Sequence, residues 1–264
     1  TPLQTSMGVT IGSRTFVYSY IGEEMHWIYG RDYVRAPKGS TYTDVIGTVI
    51  VCSGMPIIDP KTGYPSLIED PNQRIAKVNP DWKAGFGTSV RYKNLSFSAQ
   101  FTAQVGGNSF SVTNFALSYQ GKLKNSLPGR EDGLVLKGVN AVDNGDGTIS
   151  YRKNNTITEN VYIYYNKYQW VRDNTKANTF STDFLKLKEV RLDYRFSERW
   201  MQKTKFLRSA SIGIFATNLF CITNWPQYDP EAAGVVSGTN IYGGIETGSF
   251  PMTRTYGFNI KLQF

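Results

Sequence analysis

Tyr256-Gly257-Phe258-Asn259-Ile260-Lys261-Leu262-Gln263-Phe264 closes the chain, and in it every even position is apolar or aromatic while the odd ones carry Gly, Asn, Lys and Gln. A period of two belongs to a β-strand, whose side chains point alternately to opposite faces. This strand therefore has one greasy face and one wet face. The same alternation recurs in Trp82, Ala84, Phe86, Thr88, Val90 and Tyr92, set against Lys83, Gly85, Gly87, Ser89 and Arg91. It returns with the parity reversed in Leu95, Phe97, Ala99, Phe101, Ala103 and Val105. Lys93-Asn94 between the two runs predicts a tight hairpin turn.

Two more strands follow. One spans Phe184 to Phe196, with Val190, Leu192, Tyr194 and Phe196 on one face and Glu189, Arg191, Asp193 and Arg195 on the other. The next spans Phe206 to Leu219, with Ala210, Ile212, Ile214 and Ala216 opposite Ser209, Ser211, Gly213 and Thr217. A weaker sixth candidate runs from Val9 to Tyr20, where the alternation slips near Ser13. A row of alternating charges suits either the outer face of a soluble sandwich or the wall of a wide aqueous lumen.

The connections alternate in length: long from Ile21 to Pro80, two residues at Lys93-Asn94, long from Gly106 to Thr182, short from Ser197 to Thr204, long from Phe220 to Pro251. Structureless connections of that length are uncommon in compact soluble domains. Transmembrane barrels, by contrast, combine short periplasmic turns with long extracellular loops. The expected fold class is thus all-β, a transmembrane antiparallel β-barrel to which residues 1–264 contribute about six strands, with the C-terminus periplasmic. Six strands do not close such a barrel, and the missing ones are expected before Thr1. Within the middle loop, Ser109 to Gly121 predicts a short helix and Asn140 to Tyr151 a hairpin.

Composition is compatible with this reading. The 14% aromatic share, with 17 Tyr, 15 Phe and 25 Gly, suits strands, tight turns and an interfacial belt. No run approaches the roughly 18 apolar residues of a membrane-spanning helix. A barrel needs only every second residue apolar, so a mean hydropathy of -0.35 does not exclude it. The net charge of +8 raises the question of nucleic acid. The Lys and Arg are spread along the chain without a recognisable binding motif, so nucleic acid is not expected as a partner. Cys52 and Cys221 lack partners at metal-ligand spacing, and either a disulfide between them or two free thiols is compatible with the sequence. Thr1-Pro2-Leu3-Gln4 shows no signal-peptide pattern, so the chain is expected to begin after processing or within something larger.

Asn79-Pro80-Asp81-Trp82-Lys83-Ala84-Gly85-Phe86, followed by Tyr92-Lys93-Asn94-Leu95-Ser96-Phe97, resembles the SusC-like TonB-dependent transporters of the Bacteroidota near their C-terminus. Further pieces fit the same family in the same order: Ile28-Tyr29-Gly30-Arg31-Asp32-Tyr33 after Gly22-Glu23-Glu24, Gly106-Gly107, Arg130-Glu131 in the middle loop, Asp183-Phe184-Leu185-Lys186-Leu187-Lys188-Glu189-Val190, Asn218-Leu219-Phe220, Tyr228-Asp229-Pro230-Glu231 and Pro251-Met252-Thr253-Arg254-Thr255-Tyr256. The resemblance covers most of the chain and places residues 1–264 in the C-terminal part of such a transporter. It implies a barrel of about 22 strands filled by a plug, a SusD-like lipoprotein lid, and import of glycans or oligopeptides coupled to TonB through a region this chain does not contain. It also implies that the last strand is read by the barrel-assembly machinery, with Thr255, Gly257, Ile260, Leu262 and Phe264 fitting that signal, and that the rest of the barrel and outer-membrane lipid are its neighbours.

Chemistry-bearing constellations are sparse, and neither an enzyme nor a cofactor is expected. His26 is the only histidine and no nucleophile elbow accompanies it. Asp143-Asn144-Gly145-Asp146-Gly147 looks calcium-like, but Gly145 occupies the third position of the loop and Asn154 the twelfth, so a hairpin tip is the better reading. Asp59, Glu69, Asp70 and Asp81 offer no pair to favour for hydrolysis. The aromatic run Val161 to Trp170 remains. Its Tyr162, Tyr164, Tyr165, Tyr168 and Trp170 are candidates for contact with a ligand or a lid, or else for packing within the loop. Two other classes stay open: a soluble all-β carbohydrate-binding module or adhesin, and a passive porin.

Overall fold

The computed structural model describes residues 2–3, 16–171, 173–203, 206–232, 234–237, 240–248 and 250–264. The chain divides into two compact units, one formed by Asn79–Asn108, Ser181–Ala233 and Ser249–Phe264, the other by the remaining segments.

The first unit is a five-stranded antiparallel meander. Its strands are β1 (Pro80–Tyr92), β2 (Leu95–Gly106), β3 (Phe184–Arg195), β4 (Ser209–Thr223) and β5 (Thr255–Gln263), hydrogen-bonded in the order β1-β2-β3-β4-β5. At 9 to 15 residues, each reaches or exceeds the roughly 9–11 that a tilted strand needs to cross a bilayer. Lys93 takes φ 52°, the left-handed value a two-residue hairpin turn demands. Asn94 fastens that turn to the next strand, donating its Nδ2 to the Arg195 carbonyl at 2.6 Å.

Register makes the two faces continuous across the sheet. Val90, Phe97, Leu192, Ile214 and Phe258 are direct cross-strand partners in one row, and Tyr92, Leu95, Tyr194, Ile212 and Ile260 form the next. Side chains of these types are normally interior. Here their exposure runs from 36% at Leu192 to 74% at Phe258. The opposite face carries Arg91, Ser96, Asp193, Gly213 and Asn259 in one row. Gly213 is needed there, because a Cβ at that position would stand 2.1 Å from Asp193 Oδ1 and 2.6 Å from Asn259 Oδ1. Gly257 admits the ring of Phe215 from the neighbouring strand in the same way.

Two β-bulges adjust the phase. On β3, Lys188 is the extra residue against β2, so Leu185 and Leu187 share the apolar face with Val190, Leu192 and Tyr194. On β4 the register slips between Thr217 and Phe220, where Asn218 takes φ 53°. This corrects the expected end of that strand at Leu219. The bulge resets the period, and the strand continues to Thr223.

The sixth candidate strand is also corrected. Residues 4–15 lie outside the described residues, and Phe16–Tyr20 pairs with Trp27–Gly30 in a separate sheet that includes Gln73–Lys77. The five-stranded sheet has β1 and β5 at its edges among the described residues.

The second unit shows that the long connections are not structureless. It holds the sheet just described, hairpins Thr41–Thr43/Val49–Val51 and Val139–Asp143/Ile149–Lys153, and helix α1 (Val112–Tyr119). Ser111 caps α1, its Oγ accepting from the Asn114 amide at 3.0 Å. A second helical segment begins as α2 (Val161–Ile163) and continues as a π-helix over Tyr164–Gln169. Val17, Ile28, Phe110 and Ile245 form one core cluster, and Ala36, Cys52 and Val139 another. Buried asparagines satisfy main-chain carbonyls where no ladder does: Asn154 Nδ2 donates to Leu136 O at 3.0 Å, Asn174 Nδ2 to Tyr168 O at 2.6 Å, and Asn178 Nδ2 to Val171 O at 2.9 Å.

Candidate functional site

The aromatic run lies on the α2 and π-helical segment. Asn160 caps it, with Oδ1 accepting from the amides of Tyr162 at 2.9 Å and Ile163 at 3.3 Å. Helical periodicity then sorts the five candidate contact residues. Tyr165 and Trp170 point inward, both buried, their rings stacked at 5.2 Å, and the Tyr165 hydroxyl donates to Pro128 O at 3.1 Å. Tyr164 is half-buried and donates to Gln169 Oε1, which also accepts from Tyr33. Burial pushes the Tyr164 hydroxyl up, with Tyr165 adding to the effect, so it remains a neutral donor. Tyr168 stacks on Tyr64 at 4.8 Å, and Tyr162 is exposed.

Tyr162 and Tyr168 consequently line two different cavities. The larger, of about 600 Å³, is walled by the C-terminal end of α1, the turn from Ser126 to Gly133, and residues 158–166. Tyr119 and Tyr162 are at its rim, with Arg130, Glu131 and Glu159 among its charged side chains. The smaller, of about 410 Å³, is lined by Tyr64, Tyr168 and the Arg31–Glu69 pair, whose Nη2 to Oε2 distance is 2.7 Å. Arg130-Glu131 was among the pieces that carry the family resemblance, but nothing in the sequence placed Glu159 beside them, because that placement depends on three segments meeting.

On the five-stranded sheet, the polar face carries two charge networks. Arg191 donates through Nε to Asp193 at 2.6 Å and through Nη2 to Asn259 at 2.9 Å. Lys186 is 2% exposed, a burial that a lone ammonium does not tolerate. It is paired with Asp229 and with Glu231 at 2.6 Å, while Lys188 reaches Glu231 at 2.5 Å. These residues tie β3 to the segment after β4. Burial acts to raise the Glu231 carboxyl, but hydrogen bonds from Lys186 and Lys188, with their charges, outweigh it and hold the group below its ordinary value of 4.5.

No protein-family model matches the chain. TonB-dependent receptor P3 of Formosa agariphila is 25% identical to it over 252 residues, which cover 92% of this chain and 22% of that protein. The RagAB peptide importer in its open-open state has the same fold, with a TM-score of 0.52 at 18% identity over 97% of this chain and 27% of that one. Its closed-closed state gives 0.53 at 16% identity, over 97% and 28%. The chain is thus similar in sequence to part of a TonB-dependent receptor and in fold to part of the RagAB importer. It spans between 22% and 28% of the length of these relatives. The five-stranded sheet has the fold of a part of such a transporter barrel.

The residues expected to carry the assembly signal all fall on or beside β5. Ile260, Leu262 and Phe264 are exposed on the apolar face, while Thr255 and Gly257 belong to the opposite parity, paired with Thr217 and Phe215. Both cysteines are free thiols, and burial pushes the Cys52 thiol up. Asp143 to Gly147 forms the expected hairpin tip, with Asp143 opposite Ile149. His26 takes φ 63° in a turn, its amide donating to Ser19 Oγ at 3.1 Å.

Proposed function

We propose that this chain supplies C-terminal strands and extracellular loops to an outer-membrane, TonB-dependent nutrient importer that takes up oligopeptides or glycans under a SusD-like lipoprotein lid. The observation that carries the reading is the pair of five-residue apolar rows, exposed on one face of a continuous hydrogen-bonded sheet whose other face is charged. Water is a poor solvent for such a face, and exposed apolar patches beyond a few hundred Å² are rare on soluble monomers. Hydrocarbon is a good one, since every main-chain group inside the sheet is satisfied by its neighbours. A carbohydrate-binding module in solution has no use for that band.

In this reading the Lys93-Asn94 turn, the short Glu198–Met201 connection and the C-terminus face the periplasm, while the long connections face outward toward lid and cargo. The plug, the remaining strands and the contact with TonB belong to other parts of the transporter. Thr255, Gly257, Ile260, Leu262 and Phe264 engage the barrel-assembly machinery during insertion. Cargo moves inward on energy delivered through the plug, and the residues of this chain bind and orient rather than react.

Fractionation of native membranes tests the proposal. The chain is expected in the outer-membrane fraction, extracted only by detergent, within a protein of about four times its length and together with a lipoprotein. Recovery of a soluble protein of about 30 kDa in plain buffer would refute it.

A further inference from the structure

Gly85, Thr102, Lys186 and Cys221 are cross-strand partners in one row of the polar face, between the apolar-face positions Leu185 and Leu187. At the Lys93-Asn94 end of that face Arg91 and Arg195 are exposed, whereas Lys186 is 2% exposed. What covers it is the segment after β4. Residues 224–232 turn back onto the polar face within the same compact unit as the sheet, and Asp229 and Glu231 meet the Lys186 ammonium there. Trp225 and Asp229 are buried along with it, and Met252 Sδ, from the connection into β5, lies 3.9 Å from Lys186 Nζ.

Two lysines face two carboxylates in this network, so it is neutral as it stands and calls for no further ion. Its effect is to hold a connection against the sheet that water would otherwise solvate on all sides, because burying a lysine is tolerated only where its counter-charges stay in place. The backbone carries the same constraint. Tyr228 takes φ 53° immediately before Asp229, a value that a bulky residue keeps only where its surroundings hold it.

We infer that residues 224–232 form a strap on the lumen side of the sheet that narrows the outer half of the passage and so limits the width of what is imported, with Lys186 as its positioning residue. The inference rests on the importer reading, in which the polar face lines the lumen and the long connections face outward. Layers on a sheet face stack about 10 Å apart, so the strap takes roughly that much from the passage on this side.

Gln100 is exposed on the same face, one row further from the strap toward the Lys93-Asn94 turn, and a reagent arriving from outside passes the strap to reach it. The test uses the full-length transporter in its native outer membrane, carrying Gln100→Cys together with Cys221→Ser; Cys52 is fully buried. Intact cells are treated with a small sulfonated maleimide or with a long-chain polyethylene glycol maleimide. The small reagent is expected to label Gln100→Cys and the long one to be excluded. Lys186→Met should raise the labelling rate of the long reagent about 30-fold, the release expected when a buried ion pair is broken, and that of the small reagent by less than about threefold. Asp229→Asn, which keeps an acceptor for the Glu231 amide, should act in the same direction to a smaller extent. Heat-modified migration on gels reports whether each variant has folded. A merely local loosening would speed both reagents alike. The inference is overturned if the long reagent labels the unaltered strap protein as readily as the small one, if neither reagent labels it, or if the two variants leave the exclusion unchanged or speed both reagents equally. Val90→Cys, on the apolar face, separates this from the importer reading. It should resist both reagents in the membrane, and its labelling would remove the importer reading itself, whereas failure at Gln100→Cys alone removes the strap and leaves that reading standing.

Discussion

Replacing Lys186 by Met removes the one buried ammonium that neutralises Asp229 and Glu231, which are 6% and 23% exposed. Breaking a buried ion pair by deleting one partner costs about 3–5 kcal/mol, because the other charge stays behind in a poor solvent. Here Lys188 still reaches Glu231 at 2.5 Å, and Glu231 itself is partly wet, so the figure belongs to Asp229 alone and falls to about 2–3 kcal/mol. That loss loosens the segment after β4, whose Glu231 amide donates to Asp229 Oδ1 at 2.9 Å and whose Trp225 amide donates to Thr223 Oγ1 at 3.0 Å. At about 1.36 kcal/mol per decade, these two amides should exchange hydrogen some 30- to 150-fold faster in the full-length transporter carrying Lys186→Met. Adding Asp229→Leu should recover most of the protection at the Trp225 amide, since replacing both partners by apolar groups is often nearly neutral, but not at the Glu231 amide, which loses its acceptor with Asp229. Exchange within threefold of the unaltered protein would refute the claim that the lysine holds this segment.

The same network gives a pH dependence. Glu231 lies below its unfolded value of 4.5 in the folded state, so its contribution is complete above that pH and is lost as pH falls through the lower folded value. Protection of the Glu231 amide should be constant from neutral pH down to about 5 and decline below it, after correction for intrinsic exchange. On the sheet, Phe258→Arg should cost about 1–4 kcal/mol in urea-titrated folding into vesicles, according to depth. Ser89→Arg, exposed on the polar face of β1, should cost less than about 1 kcal/mol, and equal costs would contradict the assignment of faces. Gly213→Ala should displace Asp193 and Asn259 and lower barrel stability by about 1–3 kcal/mol, read as a lower temperature of heat-modified migration on gels. Tyr165→Ala should destabilise the loop unit by about 3 kcal/mol, and Tyr162→Ala by less than about 0.5, as measured by limited proteolysis.

The alternation at Trp82–Val105, Val190–Phe196 and Tyr256–Phe264 made the sheet legible in the sequence because a strand's faces are set by its own covalent geometry. A period of two survives whatever the strand is packed against. The Lys93-Asn94 turn, the short helix near Ser109–Gly121 and the hairpin around Asp143–Gly147 were readable for the same reason: their signals are local. The end of β4 was not, since Asn218 enters the left-handed region and shifts the phase, and the alternation cannot be followed across a bulge. Pairing of Phe16–Tyr20 was likewise hidden, because a short alternating run names no partner.

For the aromatic run, composition supplied a list of tyrosines, and helical geometry divided it. Tyr165 and Trp170 went to a core, Tyr162 and Tyr168 to separate cavities. The sequence by itself thus determined which residues form wall and which side of that wall is apolar, since both follow from neighbours along the chain. Only the tertiary structure decided that Lys186 meets Asp229 across 43 residues, or that Arg130, Glu131 and Glu159 share one cavity. Such meetings depend on where distant segments are brought by packing, and no periodicity within either segment encodes them.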